Sequence, residues 1–238
     1  MKKGTLYCVG MGPGDPELLT FKAWHALCHC PVLALPEDQS GRQTAATILK
    51  EAAARQDGLY MDEKTMLSLT FPMTRDAAVL QKAHEDASQK AAAVLDQGLD
   101  IALITLGCPT VYASCMYIQK EIRRRGYNTV VIPGITSFSA AAARLGQSLC
   151  EKDEPLLIVP AGRDDIPDLL DVQGSKVLMK VPRHMGALKE QLQEKGLLSH
   201  ASLVERCGLP GERVCTDIRD VDDTGYFSVI LVRQEDDL

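Results

Sequence analysis

The chain has 238 residues, of which 45% are hydrophobic and 24% charged, with a formal net charge of -6. That length suits one large domain or two compact ones of roughly 100 to 150 residues, and the acidic balance excludes a generally basic nucleic-acid or membrane surface while leaving room for a local basic pocket. The longest apolar runs, such as Ile101 to Leu106 and Val229 to Val232, fall far short of the roughly 20 residues of a membrane span, and eight cysteines without a C-x-x-C pair read as reduced thiols.

Taken in chain order, Thr5 to Val9 predicts the first strand, followed by the turn Gly10-Met11-Gly12-Pro13-Gly14-Asp15. The strand before that turn is too short for the apolar core of a signal peptide, so a cytoplasmic protein is expected. Asp15 can cap the next helix, with Pro16 at its first position. Trp24 on that helix reads as core. The cluster His25, Cys28, His29 and Cys30 lies near the end of a single helix, whereas a structural zinc site draws about four ligands from two spaced pairs, so no metal is assigned. Val32 to Leu35 predicts the second strand.

Asp76 is placed to cap a helix with Leu80, Ala83, Ala87, Ala91 and Val94 on its apolar face and Gly98 at its end. Ile101 to Leu106 then predicts a fully apolar strand. The helix after it shows Val111, Cys115, Ile118 and Ile122 on one face, Arg123 to Arg125 at its C-terminal end and Gly126 beyond. Further strands are expected at Thr129 to Ile132, Leu156 to Val159, Val177 to Val181, Ser202 to Val204 and Phe227 to Val232. Glycines at 208, 211 and 225 suggest antiparallel strands closing the last sheet. The fold class is therefore α/β with mostly parallel or mixed sheets, in two domains, 1–126 and 127–238, with a ligand cleft between them.

Three turns follow apolar strands and carry glycine or proline where ligands bind in open α/β sheets, at the carboxyl ends of the strands. They are Gly10 to Asp15, the loop Leu106-Gly107-Cys108-Pro109-Thr110-Val111-Tyr112, and Pro133-Gly134-Ile135-Thr136-Ser137. A dinucleotide fold would start in the same way, and Glu37 and Asp38 stand where such a fold places its acidic ribose ligand. Yet Asp15 occupies the third glycine position of that fingerprint, and a carboxylate there competes with the phosphate. Each turn alone also fits an ordinary strand-to-helix connection.

Together, in this order and spacing, the three turns resemble the tetrapyrrole methylase family, whose members carry a G-x-G-P-G-D start, a G-D-P loop and a P-G-[IV]-[ST]-S turn. Phe71-Pro72-Met73-Thr74-Arg75-Asp76, Thr105-Leu106-Gly107, the run from Ser137 to Leu145 and that from Glu154 to Ala161 look like the branch that methylates C20 of precorrin-2 or cobalt-factor II in corrin biosynthesis. The resemblance implies two α/β domains, a homodimer, S-adenosylmethionine as methyl donor and a tetrapyrrole substrate. It implies cofactor contacts from Leu106, Gly107, Cys108, Val111, Tyr112, Thr136, Ser137, Val181 and Cys207. The tetrapyrrole would meet Gly12, Pro13, Asp15 and Arg75. One departure stands out, Cys108 in place of the aspartate of G-D-P, which is tolerable if that position mainly presents backbone.

Methyl transfer from a sulfonium is a displacement on an already activated electrophile, so alignment and water exclusion are the main tasks and no nucleophilic side chain is required. No general base is assigned. The acetate and propionate groups of such a substrate call for cations, for which Arg75, Arg144, Lys180 and Arg183 are candidates. Alternatives within the fold are methylation of another tetrapyrrole carbon, a diphthine synthase or a ribosomal RNA methylase, and outside it an NAD-dependent oxidoreductase.

Overall fold

The computed structural model describes residues 2–37, 44–72, 74 and 76–233. The chain divides into two compact units, Met1–Thr136 and Ser137–Leu238. The first contains strands β1 (Thr5–Gly10), β2 (Val32–Glu37), β3 (Thr65–Thr70), β4 (Ile101–Thr105) and β5 (Asn128–Ile132), with helices α1 (Phe21–His29), α2 (Thr44–Arg55), α3 (Ala77–Leu95) and α4 (Cys115–Arg124). Its sheet has the order β3-β2-β4-β1-β5, and every pairing in it is parallel. In register, Cys8 on the interior strand β1 faces Leu103 and Val131.

Alternation along the strands explains why both faces of this sheet are apolar. Leu6, Cys8, Val32, Ala34, Ile101 and Leu103 pack with Ala87, Ala91 and Leu95 of α3 and Ile118 and Ile122 of α4. The intervening residues Val9, Leu33, Leu35, Ala102 and Ile104 are equally buried, on the opposite face by the two-residue period of a strand. There α1 packs on β1, and α2 on β2 and β4. The chain leaves β1 toward β2 on one side and leaves β4 toward β5 on the other. Since β1 and β4 are neighbours, their carboxyl ends form a topological switch point, the place where open parallel sheets leave a crevice.

The second unit holds α5 (Ser137–Leu145), β6 (Leu156–Pro160), α6 (Ile166–Leu170), β7 (Ser175–Met179), α7 (Gly186–Glu194), β8 (Ala201–Glu205), β9 (Arg213–Cys215) and β10 (Ser228–Val232). The order is β6-β7-β10-β8-β9, mixed as expected. β6 and β7 are parallel, whereas β10 runs antiparallel to both β7 and β8, and β9 antiparallel to β8. Leu178, Leu203 and Ile230 meet Leu188 and Leu192 of α7 and Ile166 and Leu170 of α6 in one core.

Several expectations are corrected. The boundary lies past β5 and not after Gly126, because β5 pairs along β1 and belongs to the first sheet. Asp15 caps only the 3-10 turn Pro16–Leu18; α1 starts later, with Thr20 Oγ1 accepting the Ala23 N–H at 3.1 Å. Val111 precedes α4, whose buried face is Cys115, Ile118, Gln119 and Ile122. On α3, Leu95 and Ala92 join Ala87 and Ala91 in the core while Val94 is only partly buried. The strand expected to reach Val181 ends at Met179, since Lys180 adopts a left-handed φ of 52°. Arg124 and Arg125 turn back onto Glu121, at 2.9 and 2.7 Å, and hold its carboxyl down at about 2.

Asp76 does cap α3: its Oδ1 accepts the N–H groups of Ala78 and Val79 at 2.9 and 3.2 Å. Asp76→Ala removes both acceptors and should lower the unfolding free energy by about 1 kcal/mol in urea denaturation. An unchanged midpoint would mean the cap contributes nothing to the first unit.

Candidate ligand-binding site

The three glycine turns of the first unit converge. Gly12 N–H donates to the Gly107 carbonyl at 3.2 Å and Gly107 N–H to the Gly12 carbonyl at 2.7 Å, an isolated antiparallel bridge tying the loop after β1 to the loop after β4. The third turn closes on the same point. A Cβ on Gly10 would lie 2.5 Å from Gly134 N and 2.8 Å from the Gly107 carbonyl oxygen, and a Cβ on Gly134 would fall on that oxygen. Side chains at positions 10 and 134 would therefore push the three strand ends apart. The node sits at the carboxyl ends of β1, β4 and β5, at the switch point of the sheet.

Gly107 differs from the other two. Its φ of +69° is left-handed, and a Cβ there would meet nothing within 4 Å. Backbone is thus fixed from below by Gly12 and open above, which is what close approach by a ligand requires. The rest of the loop is ordered by short bonds: Cys108 Sγ lies 3.1 Å from Thr110 Oγ1, and Val111 N–H donates to the Cys108 carbonyl at 3.2 Å. Cys108 is buried, Leu106 and Val111 half-buried, and Tyr112 is 49% exposed with a left-handed φ of 49°. Non-glycine residues in that region are uncommon and concentrate at functional sites.

In the first turn Gly12 and Pro13 are buried, and Asp15 Oδ1 accepts the Glu17 N–H at 2.9 Å, so its carboxylate is at least partly committed to its own turn. Thr136 ends the first unit and Ser137 opens α5. Arg75 and Asp38, both singled out from the sequence, lie outside the described residues. Glu37 accepts the Ser68 and Thr70 hydroxyls at 2.7 and 3.2 Å, bonds that tie β2 to β3.

The second unit repeats one device twice. β7 and β8 run in the same direction, each antiparallel to β10, and so end at one edge of the sheet. Each is followed by a left-handed residue, Lys180 with φ 52° and Arg206 with φ 54°, and then by an expected site residue, Val181 or Cys207. Val181 is buried and lines a cavity of about 740 Å³ with Arg183, Glu205, Arg213, Asp223 and Tyr226. The sequence reading missed Glu205, Arg213 and Tyr226, because they come together through antiparallel registers that no local motif encodes. Among the candidate cations, Arg144 pairs with Glu212.

The His-Cys cluster has a structural explanation. Lys64 Nζ donates to the carbonyls of Cys28 and Cys30 at 2.6 and 3.0 Å, closing the end of α1. Burial, reinforced by nearby Asp100, pushes the Cys30 thiol up to about 12, against the thiolate a metal requires. Among the described residues no group of three or more His, Cys, Asp or Glu side chains is arranged to hold a metal.

Comparison with known proteins decides the family. The model of the tetrapyrrole (corrin/porphyrin) methylases matches residues 5–222. The chain belongs to that family. The chain is 29% identical to the cobalt-precorrin-2 C(20)-methyltransferase of Salmonella typhimurium, over 98% of its own length and 97% of the relative's. It is 32% identical to the precorrin-2 C(20)-methyltransferase of Sinorhizobium sp, over 96% and 95% of the two chains. It is 34% identical to the cobalamin biosynthesis protein CobIJ of Mycobacterium tuberculosis, over 97% of its length but spanning only 46% of that longer protein. Its fold is that of the uroporphyrin-III C-methyltransferase of Thermus thermophilus, solved in complex with S-adenosylhomocysteine, with a TM-score of 0.66, 23% identity, and 96% and 97% of the chains covered.

The backbone node makes a direct prediction. Gly134→Ala should lower stability by about 2 kcal/mol or more through forced separation of the loops. Gly186→Ala, where a Cβ meets nothing within 4 Å, should be neutral or stabilising. Thermal unfolding of the two variants checks this, and equal midpoints would dissolve the node.

Proposed function

We propose that this methylase transfers a methyl group from S-adenosylmethionine to C20 of precorrin-2 or cobalt-factor II in corrin biosynthesis. The observation carrying the proposal is the glycine node at the switch point, with the backbone open above Gly107. The C20-methylating relatives that match nearly end to end support the choice of carbon.

The residues suit the methyl donor. Gly107 offers unobstructed backbone, Leu106, Val111 and Tyr112 offer apolar surface, and Thr136 and Ser137 offer hydroxyls for a donor's polar groups. Cys108 takes the place of the family's aspartate through its backbone, its thiol being turned to Thr110. When bound, S-adenosylmethionine supplies a methyl group already activated by its sulfonium. The protein's part is then to hold two reactants in line and exclude water. No thiol needs to act as nucleophile, and the buried Cys8 thiol, hydrogen-bonded at Cys115, is held well above the ordinary range. Gly12, Pro13 and Asp15 would form the rim that meets the tetrapyrrole, with Arg75 pairing an acetate or propionate group. The protein would work as a homodimer in the cytoplasm.

Methylation of a different tetrapyrrole carbon is the competing reading, favoured by the match to precorrin-4 C(11)-methyltransferase of Pseudomonas aeruginosa at 26% identity. Incubation of metal-free and cobalt-loaded precorrin-2 with a carbon-13 methyl donor, followed by NMR, should place the label at C20. A label elsewhere would refute the assignment. Cys108→Ala should leave the calorimetric affinity for S-adenosylhomocysteine within about twofold, and a loss of about tenfold would show that the side chain matters.

A further inference from the structure

Two buried thiols of the first unit take no part in the proposed transfer, yet stand on the segments that lead into the glycine node. Cys8 lies on β1, two residues before Gly10, and Cys115 is the first residue of α4, at the end of the loop that begins at Leu106. Both belong to one apolar core and are 0% and 4% exposed. α4 packs on β1, and Cys8 Sγ lies 3.8 Å from the Cys115 carbonyl oxygen, with the two thiols within hydrogen-bonding reach of each other. The pair is 107 positions apart in sequence and meets only through the fold.

The two thiols are not equivalent. Cys115 receives the Cys8 hydrogen bond, which lowers its thiol from the ordinary value against the opposing effect of burial, helped by the Thr105 hydroxyl and by the Cys115 and Met116 N–H groups at the first turn of α4. Cys8 is the donor, and that bond together with burial holds its proton in place. Such an arrangement suits an attacking and a resolving thiol, because a thiolate is the nucleophile toward a peroxide and a neighbouring thiol captures the oxidised sulfur. Thr110, Tyr112 and Ser114 are exposed in the segment that leads into Cys115, so the attacking thiol adjoins solvent-facing chain. Cys108, on the same loop, is turned to Thr110 Oγ1 at 3.1 Å.

We infer that Cys8 and Cys115 form a redox pair, which a hydroperoxide converts to an internal disulfide that restrains the glycine node. The Cys115 thiolate attacks a peroxide oxygen and the O–O bond breaks. Its sulfur becomes a sulfenic acid, and the leaving hydroxide takes up the proton that Cys115 released, giving water. The Cys8 sulfur then attacks the sulfenic sulfur: the S–S bond forms, the S–O bond breaks, and the Cys8 proton leaves with the hydroxyl as a second water. The two thiols lose two electrons in all, and one peroxide is reduced. Bonded sulfurs are about 2.05 Å apart, so closure draws the start of α4 toward β1. It also takes the Cys115 sulfur from Thr105, whose carbonyl accepts the Met11 N–H at 2.9 Å. Both strand ends that carry the Gly12–Gly107 bridge are thereby affected.

The test treats the full chain with hydrogen peroxide, alkylates the remaining thiols and maps the unreduced digest by mass spectrometry. A linked peptide pair joined through Cys8 and Cys115, two hydrogens lighter than its parts and released by dithiothreitol, is expected. In Cys8→Ala the sulfenic acid should persist, and a dimedone adduct should accumulate on Cys115; in Cys115→Ser, Cys8 should stay an unmodified thiol. The effect on binding rests on the methyltransferase reading above, whereas the crosslink does not. Calorimetry should show the oxidised protein binding S-adenosylhomocysteine about tenfold more weakly than the reduced one, with recovery in dithiothreitol. Peroxide that leaves Cys8 and Cys115 unlinked in the unsubstituted protein, or links Cys115 to Cys108 instead, would overturn the inference, as would equal affinities of the linked and reduced forms. Absence of S-adenosylhomocysteine binding by the reduced protein would instead overturn the preceding reading, and the peptide map would still decide the pair.

Discussion

The first unit turns on backbone meeting backbone where β1, β4 and β5 end. Gly10 and Gly134 lack the Cβ atoms that would collide with their neighbours, and the Gly12–Gly107 bridge locks two of the loops together. The parallel sheet brings these ends to one edge because every crossover returns the chain in the same direction. The order β3-β2-β4-β1-β5 then turns the helices away from the β1–β4 junction. Apolar packing on both faces of the sheet holds the strands, and the glycines let their ends approach closely enough to become a single platform.

The second unit reaches a similar result by different means. Its strand ends turn on non-glycine residues, Lys180 and Arg206, held in left-handed backbone conformations whose cost the surrounding core must offset. Antiparallel pairing through β10 brings those two turns to one sheet edge. The β8–β9 register sets Glu205 against Arg213, and the Gly225 N–H donates to Glu205, so the cavity wall is organised by an ion pair and a hydrogen bond in place of glycine packing. Under the proposed methyl transfer, alignment calls for such pre-set surfaces more than for a reactive side chain.

Much of this was legible in the amino-acid order. The apolar strands flanked by glycine and proline, the Asp76 cap and the core position of Trp24 all follow from local pattern, and the three turns carried the family resemblance. Less visible were elements whose residues lack a clean period. β3 is an edge strand with mostly exposed side chains, and β9 has three residues, so neither presents an apolar alternation. Asp15 misled because a cap for a 3-10 turn and a cap for an α-helix use the same residue at the same place. The domain boundary misled because Gly126 ends a helix without ending a domain. The cavity of the second unit was hidden for a deeper reason: its wall is assembled from the ends of β7 and β8, from β9 and from residues 223–226, which are distant in sequence and meet through the sheet registers.

The central claim is that the glycine node is the platform for the methyl donor. Hydrogen–deuterium exchange of the intact protein, measured with and without saturating S-adenosylhomocysteine and in parallel with NAD, tests it most directly. Slowed exchange is expected across residues 10–14, 106–112 and 134–137 with S-adenosylhomocysteine and none with NAD. Exchange at those loops unaffected by S-adenosylhomocysteine, or slowed by NAD, would contradict it.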